Sequence, residues 1–366
     1  MICYLLVSAS PRMTQGGRER VKALVLAGGK GTRLRPLTDK LPKPMVPVAN
    51  RPQLEHLLLL LRRHGIDEVV ITLGYCGQEI EDYFGDGSRL DLRIAYEREE
   101  SLLGTGGAIV QAKHHFDDSF LVCNADIVTD LNISALVHFH LERNALVTIA
   151  TTWVEDPTPY GLVESDAKGR IQRFLEKPSL EEVTTNYINA GLYVLEPDAL
   201  EWFPLRTPLS IEREVFPKLL ERGKALYAYN SDNYWIDMGT PEKYILLHRH
   251  LLSRTAELPG CAFPASGVAV DKTTKIFAGA RVIGPVLIGP RAQILPGATV
   301  GPFAVIGANT HVGPGAVVRD SVLWDGVQVG AGAELISTVV GQGTTVPPSV
   351  RFVQRAVTAE TVTQER

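Results

Sequence analysis

The sequence contains little cysteine, with four residues in a chain of 366. No two of them stand in a Cys-x-x-Cys spacing, so the chain lacks the common clip for a structural metal ion, and it lacks the dense cysteine framework of small secreted domains. These absences argue against a disulfide-built scaffold and predict a protein of the reducing cytoplasm. The cysteines are Cys3, Cys76, Cys123 and Cys261.

The chain also lacks an excess of charge of one sign and a long hydrophobic run. Lysine and arginine number 37 against 41 aspartate and glutamate residues, giving a net charge of −4. This balance argues against nonspecific binding to nucleic acid or to a membrane surface. The longest leucine run, 57–61, is bracketed by His56 and Arg62 and is too short to span a membrane. We therefore expect no nucleic acid and no membrane among its partners.

The N-terminal residues 1–20 lack a basic leader before their short apolar patch, which argues against a signal peptide. They become polar before Val21, where the first strand-like pattern begins. We expect 1–20 to form a poorly ordered extension.

Strand-like and helix-like segments alternate from Val21 to about Tyr244, as in a mostly parallel sheet covered by helices on both faces. The pattern predicts an α/β domain of Rossmann-like type with a mixed, mostly parallel sheet. Segments at 161–163, 171–175 and 187–195 indicate shorter, more antiparallel strands lying over the carboxyl edge, where ligands bind. Strands are predicted at 21–27, 68–73, 92–96, 119–124 and 146–151, and helices at 53–64, 77–84, 106–114 and 133–142.

The C-terminal part carries a hexapeptide repeat, with aliphatic residues at an unbroken interval of six. The repeat predicts a left-handed parallel β-helix over 270–366, whose aliphatic positions stack inward. Trp324 interrupts the interval, so we expect a loosened last coil and a tail that caps the open end. Residues 253–269, which contain Pro259, Gly260 and Pro264, are the expected linker. The repeat positions are Val270, Ile276, Val282, Ile288, Ile294, Val300, Ile306, Val312 and Val318.

A glycine-rich turn follows the first predicted strand directly. Gly28, Gly29 and Gly31 leave it free of side chains, so backbone N–H groups can approach a phosphate closely. Arg33 and Lys43 then supply charge and directional donors. Because the turn lacks both the Lys-Ser/Thr of a Walker A loop and the third glycine of a dinucleotide fingerprint, it predicts a phosphate site of neither class.

The stretch from Leu24 to Pro47 runs Leu-Val-Leu-Ala-Gly-Gly-Lys-Gly-Thr-Arg-Leu-Arg-Pro and ends in Pro-Lys-Pro-Met-Val-Pro. It resembles the signature of the sugar-1-phosphate nucleotidyltransferases, and among them the bacterial mannose-1-phosphate guanylyltransferases. The resemblance extends from about Val21 to the C-terminal tail. It implies a nucleotidyltransferase domain over 21–252 that converts an NTP and a sugar-1-phosphate to an NDP-sugar and pyrophosphate, with GTP and mannose-1-phosphate as the favoured substrates.

The resemblance also implies how the nucleotide is held. Arg33 would stabilise the leaving pyrophosphate, Lys43 would hold the nucleotide phosphates, and a second glycine-rich loop would contact the base. Glu99 stands near the place where thymidylyl relatives carry an amide, and a carboxylate can accept both N–H donors of guanine, so we expect it to select GTP. The expected nucleotide-binding residues are Leu26, Ala27, Gly28, Gly29, Gly31, Thr32, Glu99, Gly104 and Thr105.

Two aspartates are candidate metal ligands. Asp126 ends an apolar strand pattern, and Asp237 precedes a predicted helix start at Thr240. Two such oxygen ligands suit Mg²⁺, which binds one or two carboxylates together with substrate phosphates and water. Taken singly, each aspartate also fits a helix cap or a strand-end turn. In the family that the chain resembles, aspartates in these two motifs hold the catalytic magnesium.

The sugar-1-phosphate site is inferred from the same resemblance. Lys177 matches a lysine that binds the sugar phosphate, and Glu176 matches a glutamate that binds sugar hydroxyls. Gly161 and Asn189 match further sugar contacts. From the residues alone, Lys177 fits a solvated surface lysine equally well.

The nine histidines form no ligand-spaced pair, and His114 with His115 is interpreted as the polar end of a helix. His311 lies in the repeat, where hexapeptide acyltransferases place a catalytic histidine. No inserted loop accompanies it, which disfavours acyl transfer.

Two alternatives remain open for the nucleotidyltransferase domain. The same chemistry could act on glucose-1-phosphate with UTP or dTTP, because sugar pockets in this fold differ by few residues. A regulatory subunit that only senses nucleotide-sugars is the other alternative, but degenerate relatives lose signature cations or metal carboxylates. This chain keeps them, so we expect an active homo-oligomeric enzyme; the fold alone does not choose between end-to-end and side-to-side pairing of β-helices.

Overall fold

The computed structural model describes residues 21–29 and 31–364. The predicted extension over 1–20 lies outside them. Within those ranges, no helix is long and apolar enough to cross a membrane.

The N-terminal part of the fold is built around one large sheet with helices on its two faces. Its strands are β1 (Ala23–Leu26), β2 (Pro47–Val48), β3 (Arg51–Pro52), β4 (Glu68–Leu73), β5 (Arg93–Arg98), β6 (Phe120–Asn124), β7 (Ile127–Thr129), β8 (Val147–Trp153), β9 (Gly161–Ser165), β10 (Ile171–Glu176), β11 (Tyr187–Leu195), β12 (Leu226–Ser231) and β13 (Trp235–Asp237). Its helices are α1 (Gln53–Arg63), α2 (Gly77–Phe84), α3 (Gly104–Ala112), α4 (Ile133–Glu142), α5 (Phe216–Glu221) and α6 (Pro241–Leu252).

The large sheet is mixed, and its strand order is β10-β9-β11-β6-β1-β4-β5, with β8 pairing β11 and β12. The strands β5, β4, β1 and β6 run parallel, which confirms the predicted Rossmann-like type. The later strands do not form a separate layer over the carboxyl edge, because β11 pairs antiparallel with β6 and continues the same sheet. The sugar-side strands are therefore rigidly joined to the nucleotide-side strands.

The hydrophobic core lies on both faces of this sheet, because side chains of central strands such as β1 are buried on both sides. Ala23 and Val25 pack under α1 with Leu58, whereas Leu24 packs on the opposite face with Ile109 of α3. A strand buried on both faces is a continuous apolar run rather than an alternating one. The apolar run before the glycine turn is thus a central strand, and its carboxyl end opens at the sheet edge.

The C-terminal part is the left-handed parallel β-helix that the repeat predicts. Three parallel sheets form its three faces. The first face holds β14 (Val268–Val270), β17 (Val286–Ile288), β20 (Ala304–Ile306), β23 (Val322–Leu323), β26 (Val339–Val340) and β29 (Ala356–Val357). The second holds β15 (Lys275–Ile276), β18 (Gln293–Ile294), β21 (His311–Val312), β24 (Gln328–Val329) and β27 (Thr345–Val346). The third holds β16 (Arg281–Val282), β19 (Thr299–Val300), β22 (Val317–Arg319), β25 (Glu334–Ile336) and β28 (Arg351–Val353).

The last coils are shorter by one residue but are not loosened. Val300 pairs with Val318, and Val305 pairs with Val322, so the corner between the third and first faces loses one residue at this point. Later strands stay paired in the shorter register, as between Val322 and Val339. The interval of six breaks at Trp324 because a corner shortens, and the inward stacking continues to α7 (Ala359–Gln364), which places Val362 against the core of the β-helix.

The first face of the β-helix packs against the N-terminal part. Its outward residues Val305, Val322 and Val339 join a buried cluster with Leu34 and Leu247. Polar contacts cross the same interface. The Trp324 indole donates a hydrogen bond to the Tyr244 hydroxyl over 3.1 Å, and Arg249 forms an ion pair with Asp320. Asn50 donates to the Ile306 carbonyl over 2.9 Å, and Lys40 pairs with Glu360 of α7. The loop from 31 to 50 is therefore enclosed between the sheet and the β-helix.

Candidate active site

A cavity of about 470 Å³ opens beyond the carboxyl ends of β1, β4 and β6. This is the sheet edge at which α/β folds bind ligands. All nine residues expected to bind nucleotide lie in its wall, together with the expected catalytic cations and one of the two aspartates. The wall consists of Leu26, Ala27, Gly28, Gly29, Gly31, Thr32, Arg33, Lys43, Pro44, Thr72, Glu99, Leu102, Gly104, Thr105, Ala108, Asn124, Ala125, Asp126 and Gly239.

The glycine turn after β1 is shaped by two close approaches. Gly31 has φ 60° and ψ 33°, in the left-handed region, and a Cβ atom there would lie 2.9 Å from the Cβ of Lys43. A Cβ on Gly28 would lie 2.5 Å from Oε1 of Glu99. Glycine is needed at both positions because a side chain would displace Lys43 or Glu99 from the cavity wall.

Lys43 is the electrostatic centre of the cavity, although its side chain is only 8% exposed. Its Nζ donates to Oδ2 of Asp126 over 2.7 Å and to Oδ1 of Asp237 over 3.4 Å. Arg33 donates from Nη2 to Oδ2 of Asp237, also over 3.4 Å. Two cations and two carboxylates thus form one connected network.

The two aspartates meet because of a short antiparallel ribbon. Asp126 follows β6 and directly precedes β7, and β7 pairs with β13 so that Asp237 stands opposite Ile127. Burial by itself would raise the pKa of the Asp126 carboxyl, but the Lys43 ammonium and the Arg33 guanidinium outweigh it and hold that pKa below its usual value. Asp126 therefore remains ionised at neutral pH.

The opposite end of the cavity is formed by Glu99, just after β5, and by the start of α3. Glu99 accepts the Leu103 backbone N–H on Oε2 over 3.0 Å, and burial raises the pKa of its carboxyl. Gly104 has φ 69°, and a Cβ there would lie 2.6 Å from the Leu209 carbonyl oxygen. The Glu99 carboxylate, the backbone at Gly104 and the exposed Leu102 side chain thus face the cavity here.

The four expected sugar-binding residues lie on the neighbouring strands β9, β10 and β11 or directly after β10. None of them, all within the described part of the chain, belongs to the cavity wall. Gly161 stands opposite Glu176 in the β9–β10 pair, and burial, followed by the nearby Glu212, raises the pKa of the Glu176 carboxyl. Lys177 is exposed. The Asn189 side chain donates to the Tyr193 hydroxyl over 2.8 Å and accepts the Gly191 N–H.

Sequence reasoning missed several residues at or beside the site, and Glu212 and Gly239 are two of them. Glu212 accepts hydrogen bonds from Thr105 over 2.7 Å and from Ser210 over 2.8 Å, and it thereby fixes the start of α3. Gly239 lies in the cavity wall, and a Cβ there would lie 2.9 Å from Cζ of Arg33. Glu212 was not predicted from the sequence, because its partner Thr105 is remote in the chain.

A family model for nucleotidyl transferases matches residues 22–254, more than half of the chain. The chain belongs to the nucleotidyl transferase family. A second model, the GMPPB C-terminal domain, matches residues 282–366.

Named relatives of this nucleotidyltransferase act on sugar-1-phosphates. It is 38% identical over 315 residues to mannose-1-phosphate guanylyltransferase of Mycobacterium tuberculosis, covering 86% of this chain and 82% of the relative. It is 36% identical over 355 residues to UTP–glucose-1-phosphate uridylyltransferase of Synechocystis sp., covering 87% of each chain. The catalytic subunit beta of mannose-1-phosphate guanylyltransferase from Drosophila pseudoobscura pseudoobscura is 38% identical over 357 residues, covering 96% of this chain and 91% of the relative. This nucleotidyltransferase is a sugar-1-phosphate nucleotidyltransferase.

A solved structure with a similar fold is HddC from Yersinia pseudotuberculosis. It is 28% identical, has a TM-score of 0.55, and covers 62% of this chain and 97% of its own. The same protein has been solved in complex with GMP-PN.

Nucleotidyltransferases of this family generally use a divalent metal ion, and the residues here fit one. Asp126 and Asp237 both lie within 3.4 Å of a single atom, Lys43 Nζ, so their oxygens converge on one region. The Asp126 side chain is 35% exposed at the cavity. An all-oxygen donor set that leaves room for phosphate and water suits a hard divalent ion.

Proposed function

We propose that this nucleotidyltransferase makes GDP-mannose and pyrophosphate from GTP and mannose-1-phosphate. The observation that carries the proposal is the single cavity in which a side-chain-free turn, two cations and Asp126 meet at the carboxyl edge of the sheet, with Asp237 joined to them through Lys43. The choice of guanine rests on Glu99, which lies in the cavity wall with its Oε1 close to Gly28. Two of the relatives named above carry the same activity in their names.

The chemistry requires no general base. An oxygen of the sugar phosphate attacks the α-phosphorus of the NTP, a new phosphorus–oxygen bond forms, and the bond from that phosphorus to the bridging oxygen of pyrophosphate breaks. A phosphate monoester has a second pKa near 6, so at neutral pH the nucleophile is already mostly a dianion. The protein's task is to align two anions that repel each other and to balance their charge.

Different side chains of this protein would align the two anions and balance their charge. The Arg33 side chain is 61% exposed at the cavity, so it can turn toward the leaving pyrophosphate while Lys43 remains buried. We assign two roles to Lys43. It holds Asp126 and Asp237 in position, and it would bind the nucleotide phosphates, as expected from the family. Asp126 and Asp237 would hold Mg²⁺, which supplies positive charge to the phosphates when bound.

On the sugar side, we assign Lys177 to the sugar phosphate and Glu176 to sugar hydroxyls. Lys177 is exposed beside Glu176, whose raised pKa reflects a half-buried carboxyl next to Glu212. We assign Gly161 and Asn189 to shaping this subsite. A Cβ at Gly161 would lie 2.7 Å from the Phe174 ring, and the amide of Asn189 holds the bend of β11 at Gly191.

A second candidate is uridylyl or thymidylyl transfer to glucose-1-phosphate. The relative with 36% identity to this chain carries UTP and glucose-1-phosphate in its name.

The subunit assembly is proposed to be homo-oligomeric and the compartment cytoplasmic. The first coil of the β-helix, with Val270 37%, Ile276 46% and Ile283 43% exposed, offers an apolar surface for pairing.

The test is a pyrophosphate-release assay of the full chain with Mg²⁺, across the four common NTPs and a panel of sugar-1-phosphates. We expect the largest kcat/KM with GTP and mannose-1-phosphate. A larger value with UTP or dTTP and glucose-1-phosphate would support the second candidate instead. An absence of turnover with every pair would refute both and leave a binding role.

A further inference from the structure

A second cluster of metal-ligating side chains lies away from the two aspartates. Glu97 in β5 and His114 and His115, in the single turn that follows α3, present one ligand atom each within 4.8 Å of one another. The histidines are adjacent in sequence, but Glu97 reaches them only through the pairing of β5 in the sheet. The sequence alone therefore identified a polar helix end and not a cluster.

The distances within the cluster fit a small metal ion, and only the contact between Glu97 and His115 is within hydrogen-bond range. Oε2 of Glu97 lies 3.2 Å from Nε2 of His115 and 3.7 Å from Nε2 of His114. The second distance is too long for a hydrogen bond. Ligand atoms on a tetrahedral zinc ion, each about 2.1 Å from the metal, stand roughly 3.4 Å apart. The two measured distances lie on either side of that value.

One neighbouring residue orients two of the three ligands. Nδ1 of His114 lies 3.0 Å from the Gln111 backbone carbonyl, which only accepts, so Nδ1 carries the proton and Nε2 of the neutral ring is free to bind a metal. The Gln111 side chain donates to Oε1 of Glu97 over 2.8 Å and leaves Oε2 facing the histidines. Such contacts behind the ligands are typical of built metal sites.

The surroundings allow entry of an ion from one side. The side chains of Glu97 and His115 are 18% and 27% exposed, whereas that of His114 is 61% exposed. Solvent can therefore reach the cluster over His114 and supply a fourth ligand. Two imidazoles and one carboxylate favour Zn²⁺ and similar transition ions over Mg²⁺.

We propose that Glu97, His114 and His115 form a second metal site that binds Zn²⁺ or a similar divalent transition ion, with water completing the coordination. The ion joins the end of α3 to β5. The opposite end of α3, at Gly104 and Thr105, lines the nucleotide cavity, as does Glu99 just after β5. A bound ion would therefore fix the relative position of two elements that carry residues of the cavity wall.

The experiment uses the full chain, stripped with a chelator, dialysed and then kept in excess Mg²⁺ so that Co²⁺ does not compete for the aspartates. Titration with Co²⁺, followed by Zn²⁺ displacement, reports binding through the visible absorption of tetrahedral cobalt. The wild-type protein is expected to bind one Co²⁺ with these bands. His115→Ala and Glu97→Ala are expected to lower the affinity more than about 100-fold, and Gln111→Ala about 10-fold.

His138→Ala is the matched control, because His138 also pairs with a carboxylate, Glu142 at 3.0 Å, but belongs to no group of three metal-ligating side chains within the described residues. It is expected to bind Co²⁺ like the wild-type protein. Thermal unfolding in chelator checks that each variant folds, and Zn²⁺ should raise the melting temperature of wild type and His138→Ala but not of His115→Ala or Glu97→Ala. If His115→Ala does not fold, His114→Ala, altered at an exposed side chain, provides the same comparison. Equal Co²⁺ affinity in wild type and His114→Ala, or equal loss in His138→Ala, would overturn the proposal.

Discussion

The two halves of the proposed site differ in how their charges are paired. The nucleotide half is the cavity at the ends of β1 and β6. The sugar half consists of Gly161, Glu176, Lys177 and Asn189. In the nucleotide half a buried lysine already joins two carboxylates. In the sugar half Lys177 is exposed and forms no ion pair with any described residue. The nucleotide half is therefore neutralised before any ligand arrives, whereas the sugar half keeps a cation for an incoming anion.

This difference predicts two kinds of mutant. A change in the nucleotide half removes one member of a network, so its partners lose a neighbour and the rate of the chemical step falls. A change in the sugar half removes a contact to a single substrate, so the KM for that substrate rises.

The largest effect is expected from Asp126→Asn. It removes a proposed metal ligand and leaves Lys43 with one carboxylate, so kcat should fall about 1,000-fold or more. Arg33→Ala should lower kcat about 100-fold, since it removes one charge from the leaving group. Pyrophosphate release gives kcat, and circular dichroism shows whether the fold is retained.

The matched control for Asp126→Asn is Asp130→Asn, at the other end of the same β-ribbon, where Oδ1 accepts the Tyr234 N–H. It should keep kcat within a few-fold of wild type. Near wild-type turnover in Asp126→Asn would remove that residue from the mechanism.

Lys177→Ala should come next. Loss of a charged donor to the sugar phosphate costs about 1.5 to 3 kcal/mol, which raises the KM for sugar-1-phosphate roughly 10- to 100-fold. The KM for GTP should change little. Lys168→Ala, in the turn between β9 and β10, serves as the control with an unchanged KM for both substrates. Equal rises in both KM values for Lys177→Ala would contradict the division of the site into two halves.

Glu99→Gln should lower the preference for GTP over dTTP about 10-fold, because an amide accepts one of the two guanine donors and repels the other. Burial raises the pKa of Glu99, and the protonated form binds guanine poorly. As the pH decreases, kcat/KM for GTP should therefore begin to fall at a higher pH than it would if residue 99 were an exposed glutamate. Glu100→Gln, at the exposed neighbour, should change neither quantity. Competition between the two NTPs at several pH values measures both, and an unchanged preference would refute the role of Glu99.

The smallest effect is expected from Gly239→Ala. Its Cβ would displace the Arg33 guanidinium and press on Oδ2 of Asp237, yet the exposed Arg33 side chain can move away. We expect a loss in kcat of about 10-fold or less and an unchanged melting temperature. A loss as large as that of Arg33→Ala would show that the position of the guanidinium, and not its charge alone, is limiting.

Local signals explain what the sequence could predict. The strand at Glu68–Leu73 and the helix at Gly77–Phe84 have the predicted bounds, because an apolar run and the residues that flank it determine both. The turn from Gly28 to Thr32 was likewise identified from composition and order.

Contacts remote in sequence explain what could not be predicted. The approach of Asp237 to Asp126 depends on the β7–β13 ribbon, and the contact of Glu212 with Thr105 depends on how α3 packs. The shortened corner before Val322 changes the interval by a single residue, and in a sequence this has the same appearance as a broken repeat. Each of these depends on which segments become neighbours.

The enclosed loop from 31 to 50 has a consequence for the order in which the protein is completed. Its carbonyl at Pro47 accepts the Tyr244 hydroxyl, which in turn accepts from Trp324, and Lys40 meets Glu360 near the last described residues. The loop with Arg33 and Lys43 is synthesised long before Trp324 and Glu360, which complete these contacts. A nascent chain interrupted before β23 would hold every proposed catalytic side chain and still lack Val322, Val339 and Glu360, which contact this loop in the complete fold.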